Sequence, residues 1–355
     1  GTAGFEGIAA SALPFNILVV LVEFTDNIHQ VQPTFFDSLM FSNSTGANSV
    51  RKFYLENSYD TLDIVTLNLP SSLGWKLAPS PYSKYVGTGA GTGPYPDNSQ
   101  KLMEDVADLI DPLVNFSKYD NDGDGYVDGV VLVHPGQGYE SSGNAGHIWS
   151  HKWTISPRLK DGVYVSDYTI QPEYIFSPGD GTIGVFAHEM GHAFGLPDLY
   201  DIDQSSNGIG RWSVMSYGSW NGPYPGGGSP AHFDAWSKYK LGFVSPQVPP
   251  LTPTTVILPP IEKNKGAIYK LWTLNNATSL EYFLIENRQK LGYDYYLPSS
   301  GLLIWHIDNK KIFNNQEWYP GVEPSNHLKV ALEQADGLWD IEHDAGYGDI
   351  RDPYP

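Results

Sequence analysis

The eleven residues His188-Glu-Met-Gly-His-Ala-Phe-Gly-Leu-Pro-Asp198 set metal donors beside a base. On a helix, His188 and His192 lie one turn apart on the same face, so both imidazoles can aim a ring nitrogen at one ion about 2.0–2.1 Å away. Glu189 sits between them in sequence and can reach a water on that ion. Gly195, lacking a Cβ, can take the left-handed conformation that ends a helix and lets the chain fold back. Asp198 then becomes available as third ligand, with Asp201 and Asp203 close behind it as carboxylates for a structural or calcium role. Zinc held by two His and one carboxylate keeps a position for water and lowers that water's pKa toward neutrality. Glu189 would accept the proton during attack on a peptide carbonyl and return it to the leaving amine. The spacing therefore predicts a zinc hydrolase that works without a covalent enzyme intermediate.

A second signal follows in Arg211-Trp-Ser-Val-Met-Ser-Tyr-Gly-Ser-Trp220, where Met215 stands 17 residues past Asp198. Here the chain resembles the metzincins, whose extended zinc motif is followed by a Met-turn beneath the metal. With Asp as third ligand, it is similar to the immune inhibitor A family of secreted bacterial metallopeptidases. The segments that carry this resemblance include Val50-Arg-Lys-Phe-Tyr-Leu-Glu-Asn-Ser-Tyr59, Asp120-Asn-Asp-Gly-Asp-Gly125, Ile148-Trp-Ser-His151, Glu281-Tyr-Phe-Leu-Ile-Glu286 and Glu333-Gln-Ala-Asp-Gly-Leu-Trp339. The resemblance implies a secreted zinc endopeptidase acting on proteins, with Met215 as a polarizable floor under the imidazoles. Tyr217, two residues on, is a candidate for stabilising the developing oxyanion, with plain packing as its alternative role. A non-catalytic secreted surface-binding protein is the rival reading, and intact His188, Glu189 and His192 count against it. A zinc deaminase is excluded in its usual form because that signature needs Cys ligands and the chain has none.

The loop Asp120-Asn-Asp-Gly-Asp-Gly-Tyr-Val-Asp128 has the alternation of hard oxygen donors found in calcium loops. Asp120, Asp122, Asp124, Tyr126 and Asp128 stand at positions 1, 3, 5, 7 and 9, and Gly125 falls at the sharp turn. Position 12 is Val131, so the usual bidentate Glu is missing and a remote carboxylate such as Asp111 would have to complete the shell. The bland alternative is an acidic surface turn. His147 and His151 are also four apart, but Ile148 follows the first of them, so a structural His at a strand edge is expected there in place of a second zinc site.

These groups must be held by a fold that the rest of the chain encodes. The 355 residues hold 21 Lys and Arg against 40 Asp and Glu, a net charge of -19. Nucleic acid and anionic membranes would repel such a chain. There is no Cys, so neither disulfides nor thiolate chemistry is available. The longest apolar run, Ile17 to Val22, is too short to span a bilayer and reads as a buried strand within Phe15 to Phe24. No signal peptide is recognisable after Gly1, so a secreted protein would start here after processing; the family resemblance likewise implies further sequence beyond Pro355. Sequons at Asn43, Asn115 and Asn276 carry no information about function.

Helices are expected after an Asn48 or Ser49 cap, through Leu102 to Ile110, from Ile183 to Phe194, and from Ser229-Pro230 to Gly242. Strands are expected at Tyr126 to His134 and Val163 to Ile175, and Ser80 to Ser99 reads as a flexible loop. Their alternation predicts an α/β (α+β) catalytic domain over 1–245, metzincin-like and built on a twisted mixed sheet. Pro246 to Pro260, with six prolines in fifteen residues, reads as a stiff connector. Beyond it, short strands at Ala267 to Leu274, Ser279 to Asn287, Gly301 to Ile307 and His327 to Glu333 predict an all-β, sandwich-like C-terminal module over 246–355. A monomer is expected.

Overall fold

In the computed structural model the described residues are 14–250, 252–272, 278–323 and 325–355. The Gly1 opening, the Asn276 sequon and the end of the expected strand at Leu274 lie outside them. The described residues divide into two compact units, one of residues 14–54 with Leu62–Ala193, the other of Leu55–Thr61 with residues from Phe194 on.

The first unit is organised by a five-stranded sheet. Its strands are β2 (Leu18–Glu23), β4 (Lys76–Leu77), β5 (Val130–His134), β6 (His151–Lys160) and β7 (Val163–Pro172), in the order β4-β2-β5-β7-β6. β1 (Phe15–Asn16) and β3 (Ile64–Val65) pair separately and in parallel. Only β6 runs antiparallel, at the edge, so the sheet is mixed. β2 and β5 occupy interior positions, which is why both are continuous apolar runs buried on each face. Helices α1 (Pro33–Phe41), α2 (Val50–Ser58), α3 (Pro70–Leu73), α4 (Tyr82–Val86), α5 (Ser99–Ile110), α6 (Tyr139–Ser142) and α7 (Ile183–Ala193), with a 3-10 turn at Phe116–Tyr119, complete the described elements up to residue 193. Leu102, Val106 and Ile110 of α5 recur at helical spacing and pack with Leu18, Val20 and Val22 of β2 in the core. Asn98 caps α5 by accepting from the Lys101 N–H, and Ser49 does the same for α2 through the Lys52 N–H.

The second unit contains α8 (Ala235–Lys240) and a four-stranded antiparallel sheet of β8 (Ile268–Trp272), β9 (Glu281–Arg288), β10 (Gly301–Asp308) and β11 (Val330–Leu332). β9 alternates buried and half-buried residues along its length, as a sheet with one face on a core requires. Its even positions 286 and 288 are charged and fully buried. Arg288 donates through Nε and Nη2 to Asp294 (2.8 and 2.5 Å) and through Nη1 to Glu286 (3.2 Å). Burial alone would raise the Asp294 carboxyl, but the Arg288 guanidinium overrides it and holds the pKa down to about 2. His232 joins the group through Glu56 (2.8 Å) and Lys238 (3.0 Å).

Three expectations change. The helix expected from Ser229 begins at Ala235, because Asp234 is the side chain that accepts from the Ser237 N–H. Ser229 instead donates to the Tyr293 carbonyl, and the His232 N–H donates to Asp294, so tertiary partners consume the expected first turn. The Ser80–Ser99 segment contains α4. The edge strand β6 was expected only where His151 opens it; beyond that its exposed charged residues and Pro157 hide the alternation, and its register shifts between Thr154 and Arg158.

Candidate metal centre

α7 carries His188, Glu189 and His192. Ile183, Phe186, Ala187 and Met190 are all buried, so the helix is enclosed on most of its circumference and its polar residues are held in an apolar setting. His188 and Glu189 are only 8% and 5% exposed. Tyr54 of α2, itself fully buried, donates its hydroxyl to the Ala187 carbonyl at 2.9 Å. That bond fixes the backbone immediately before His188, and nothing in the local sequence pattern announces it.

His188 and His192 present their Nε2 atoms to one another at 3.1 Å, with ring planes at 89°. With one ring protonated at Nε2 this contact is a hydrogen bond; with both Nε2 lone pairs free the same two nitrogens can share a cation, so the donor set fits a metal of the imidazole-binding class. After α7 ends at Ala193, Gly195 takes φ 87°. No atom lies within 4 Å of where its Cβ would stand, so the conformation, and not crowding, calls for glycine; another residue would cost about 1–2 kcal/mol there. Donor atoms of His188, His192 and Asp198 lie within 4.8 Å of one another.

Asp201 and Asp203 are differently engaged. The buried Asp201 carboxylate accepts from the Asp203 and Ser206 N–H groups and from the Ser205 and Ser206 hydroxyls, at 2.8–3.1 Å. Asp203 accepts from the Ser205 N–H. Their carboxylates shape the loop after Asp198.

Met215 is fully buried in a tight turn closed by the Ser216 N–H to the Ser213 carbonyl. Its own carbonyl accepts from the Leu199 N–H at 2.8 Å, which ties the residue after Asp198 to this turn. Ser213 reinforces it by donating to Asp234. Tyr217 is half-buried between Tyr347 (ring centroids 4.4 Å) and Tyr200 (6.2 Å). Burial first, then Tyr347 and the carboxylates Asp344 and Asp201, raise its pKa, so its hydroxyl stays protonated and able to donate.

In the acidic loop, donor oxygens of Asp120, Asp122 and Asp124 gather. Asp128 does not join them; it accepts from the Asn121 N–H and amide, and burial pushes its carboxyl up to about 7. Tyr126 makes an isolated bridge with Tyr164. Asp111 is paired with Lys160 at 2.8 Å. His151 begins β6 and meets the Ser99 hydroxyl at 2.8 Å, while His147 meets Ser142 at 2.9 Å.

Residues 15–243 match the family model described as immune inhibitor A peptidase M6, catalytic domain. The chain is 30% identical to the pre-pro-metalloprotease PrtV of Vibrio cholerae over 270 residues, 64% of this chain and 28% of that protein. It is 34% identical to immune inhibitor A of Bacillus thuringiensis subsp. alesti over 187 residues, 43% of this chain and 26% of that protein. The matched regions therefore span little more than a quarter of the length of each relative. Among the described residues no helix is long and apolar enough to cross a membrane.

Proposed function

The chain belongs to the immune inhibitor A (M6) peptidase family, and on that premise we propose that it is a secreted zinc endopeptidase of metzincin type. The observation that carries this reading is the gathering of His188, His192 and Asp198 donor atoms within 4.8 Å, with Glu189 next to the first of them. Zinc bound there would supply Lewis-acid polarisation of the peptide carbonyl and acidify the attacking water.

Glu189, in its apolar setting, takes the proton from that water and delivers it to the leaving nitrogen. The protonated Tyr217 hydroxyl donates to the oxyanion as it develops. Met215 sits in a turn of the Met-turn kind, and its carbonyl holds the N–H of Leu199, the residue after Asp198. In domain terms, residues 1–245 would be the catalytic domain and 246–355 a β-rich module. Membership of a peptidase family supports protein or peptide chains as the substrates, and the net charge of -19 disfavours nucleic acid.

The test is elemental analysis combined with digestion of denatured casein, with and without a zinc chelator. About one zinc at this site, internal cleavage products, and loss of cleavage on chelation are expected. No peptide products from the zinc-replete chain would leave a binding role for this fold and overturn the enzymatic reading.

Calcium at the Asp120–Asp124 loop belongs to the same proposal, because three clustered carboxylates repel unless a cation neutralises them. A ligand that binds only the folded state stabilises it by mass action, by about 2.7 kcal/mol at a hundredfold excess over its Kd. Melting curves of the Glu189→Gln variant, which cannot digest itself, should shift upward in millimolar calcium and lose that shift in Asp122→Ala/Asp124→Ala. Equal calcium responses in both proteins would leave this loop an acidic turn.

A further inference from the structure

A second donor cluster lies on the antiparallel sheet. Glu281 opens β9 and Asp308 ends β10, and the two are direct cross-strand partners, so their side chains share one face. His306, two residues before Asp308, points to that same face by the strand's twofold alternation. His327 comes from the connection between β10 and β11 and stacks on His306 with ring centroids 4.8 Å apart. Phe283 closes the other side of His306 at 4.9 Å.

One distance in this group suits a shared ion better than a hydrogen bond. His327 Nε2 stands 3.6 Å from Asp308 Oδ2, beyond hydrogen-bond range. Two ligands of a tetrahedral ion at 2.0–2.2 Å are separated by about 3.4 Å. His306 Nε2 is 3.2 Å from Glu281 Oε1, and donor atoms of Glu281, Asp308 and His327 all fall within 4.8 Å of each other. Independently, His327 is 11% exposed in its side chain and its Nδ1 is buried with no hydrogen-bond partner. A buried imidazole with an idle nitrogen is costly; its other nitrogen, Nε2, is the one that faces Asp308 and the one that would ligate. Lys310 approaches Glu281 Oε2 at 3.5 Å but is 60% exposed, free to swing into water.

We propose that Glu281, Asp308 and His327, with His306 beside them, bind a divalent transition-metal ion of the zinc class. Imidazole together with carboxylate selects such an ion over calcium, which prefers oxygen donors alone. The ion clasps the connection between β10 and β11 onto the face of the sheet, a structural role separate from hydrolysis.

The test counts zinc in the full-length Glu189→Gln chain after equilibration with zinc and desalting, with the fold followed by circular dichroism. Two zinc ions per chain are expected, falling to one in His327→Gln and in Glu281→Gln, and to one in His192→Ala. Zinc should also raise the melting temperature of the His192→Ala chain, and His327→Gln added to it should abolish that rise. A parent that holds a single zinc, lost on His192→Ala and kept in His327→Gln, overturns this second site and leaves the proposed catalytic centre intact. A single zinc lost on His327→Gln alone would overturn the catalytic assignment instead. Should His327→Gln fail to fold, the count in Glu281→Gln decides, since that side chain lies at the rim.

Discussion

Replacing Glu189 by Gln should lower kcat by about 10³-fold or more while KM and bound zinc stay near those of the parent. The amide keeps the size and burial of the carboxylate, so α7 has no steric reason to move. What it loses is basicity. Glutamine can neither take the proton of the attacking water nor return one to the leaving amine, and both transfers lie on the path to products. Steady-state kinetics on an unstructured protein substrate, with elemental analysis of the same sample, makes the check. Near-normal turnover at full zinc occupancy would remove Glu189 from the role of base.

The second large effect belongs to Asp198→Ala, which should weaken zinc retention as severely as His192→Ala. Losing an outer partner of a metal ligand costs about 10–100-fold in affinity, and losing a ligand itself should exceed that. Competition with a chromophoric chelator would rank the variants. Asp201→Ala is the informative control. Its carboxylate is occupied by two backbone N–H groups and two hydroxyls, so its loss should lower stability first. If Asp201→Ala loses zinc and Asp198→Ala keeps it, the third ligand has been assigned to the wrong carboxylate.

Much of the candidate centre was legible because its donors lie within eleven residues and one periodicity, that of the helix, brings two of them together. The buried strands β2 and β5 and the helix α5 were legible for the same reason: a local pattern repeats at the period of the element. What escaped the sequence depends on contacts made across it. α8 starts late because Asp294, 60 residues beyond Asp234, takes the His232 N–H. β6 hides its strand character because an edge strand bears charge on its open side. Tyr54 reaches the α7 backbone from 133 positions away. Asp128 reads as a loop ligand by spacing, yet the neighbouring Asn121 takes its oxygen. The Glu281, Asp308 and His327 group follows no spacing at all, since strand register alone places the first two side by side.

The charged group around Arg288 has a consequence for how long such a molecule lasts. A chain without cysteine has no covalent crosslink, and a peptidase is exposed to its own activity whenever it opens. Arg288, Asp294 and Glu286 are each fully enclosed, and separating one from the others before water arrives would strand a bare charge at a cost of about 3–5 kcal/mol. The sheet therefore resists fraying strand by strand, and the charges must be released together. Such a requirement raises the barrier to opening more than it deepens the folded minimum, so it acts on the unfolding rate. Unlike a disulfide, this latch is indifferent to reductant, and its lifetime is set by temperature and by the access of water to one guanidinium.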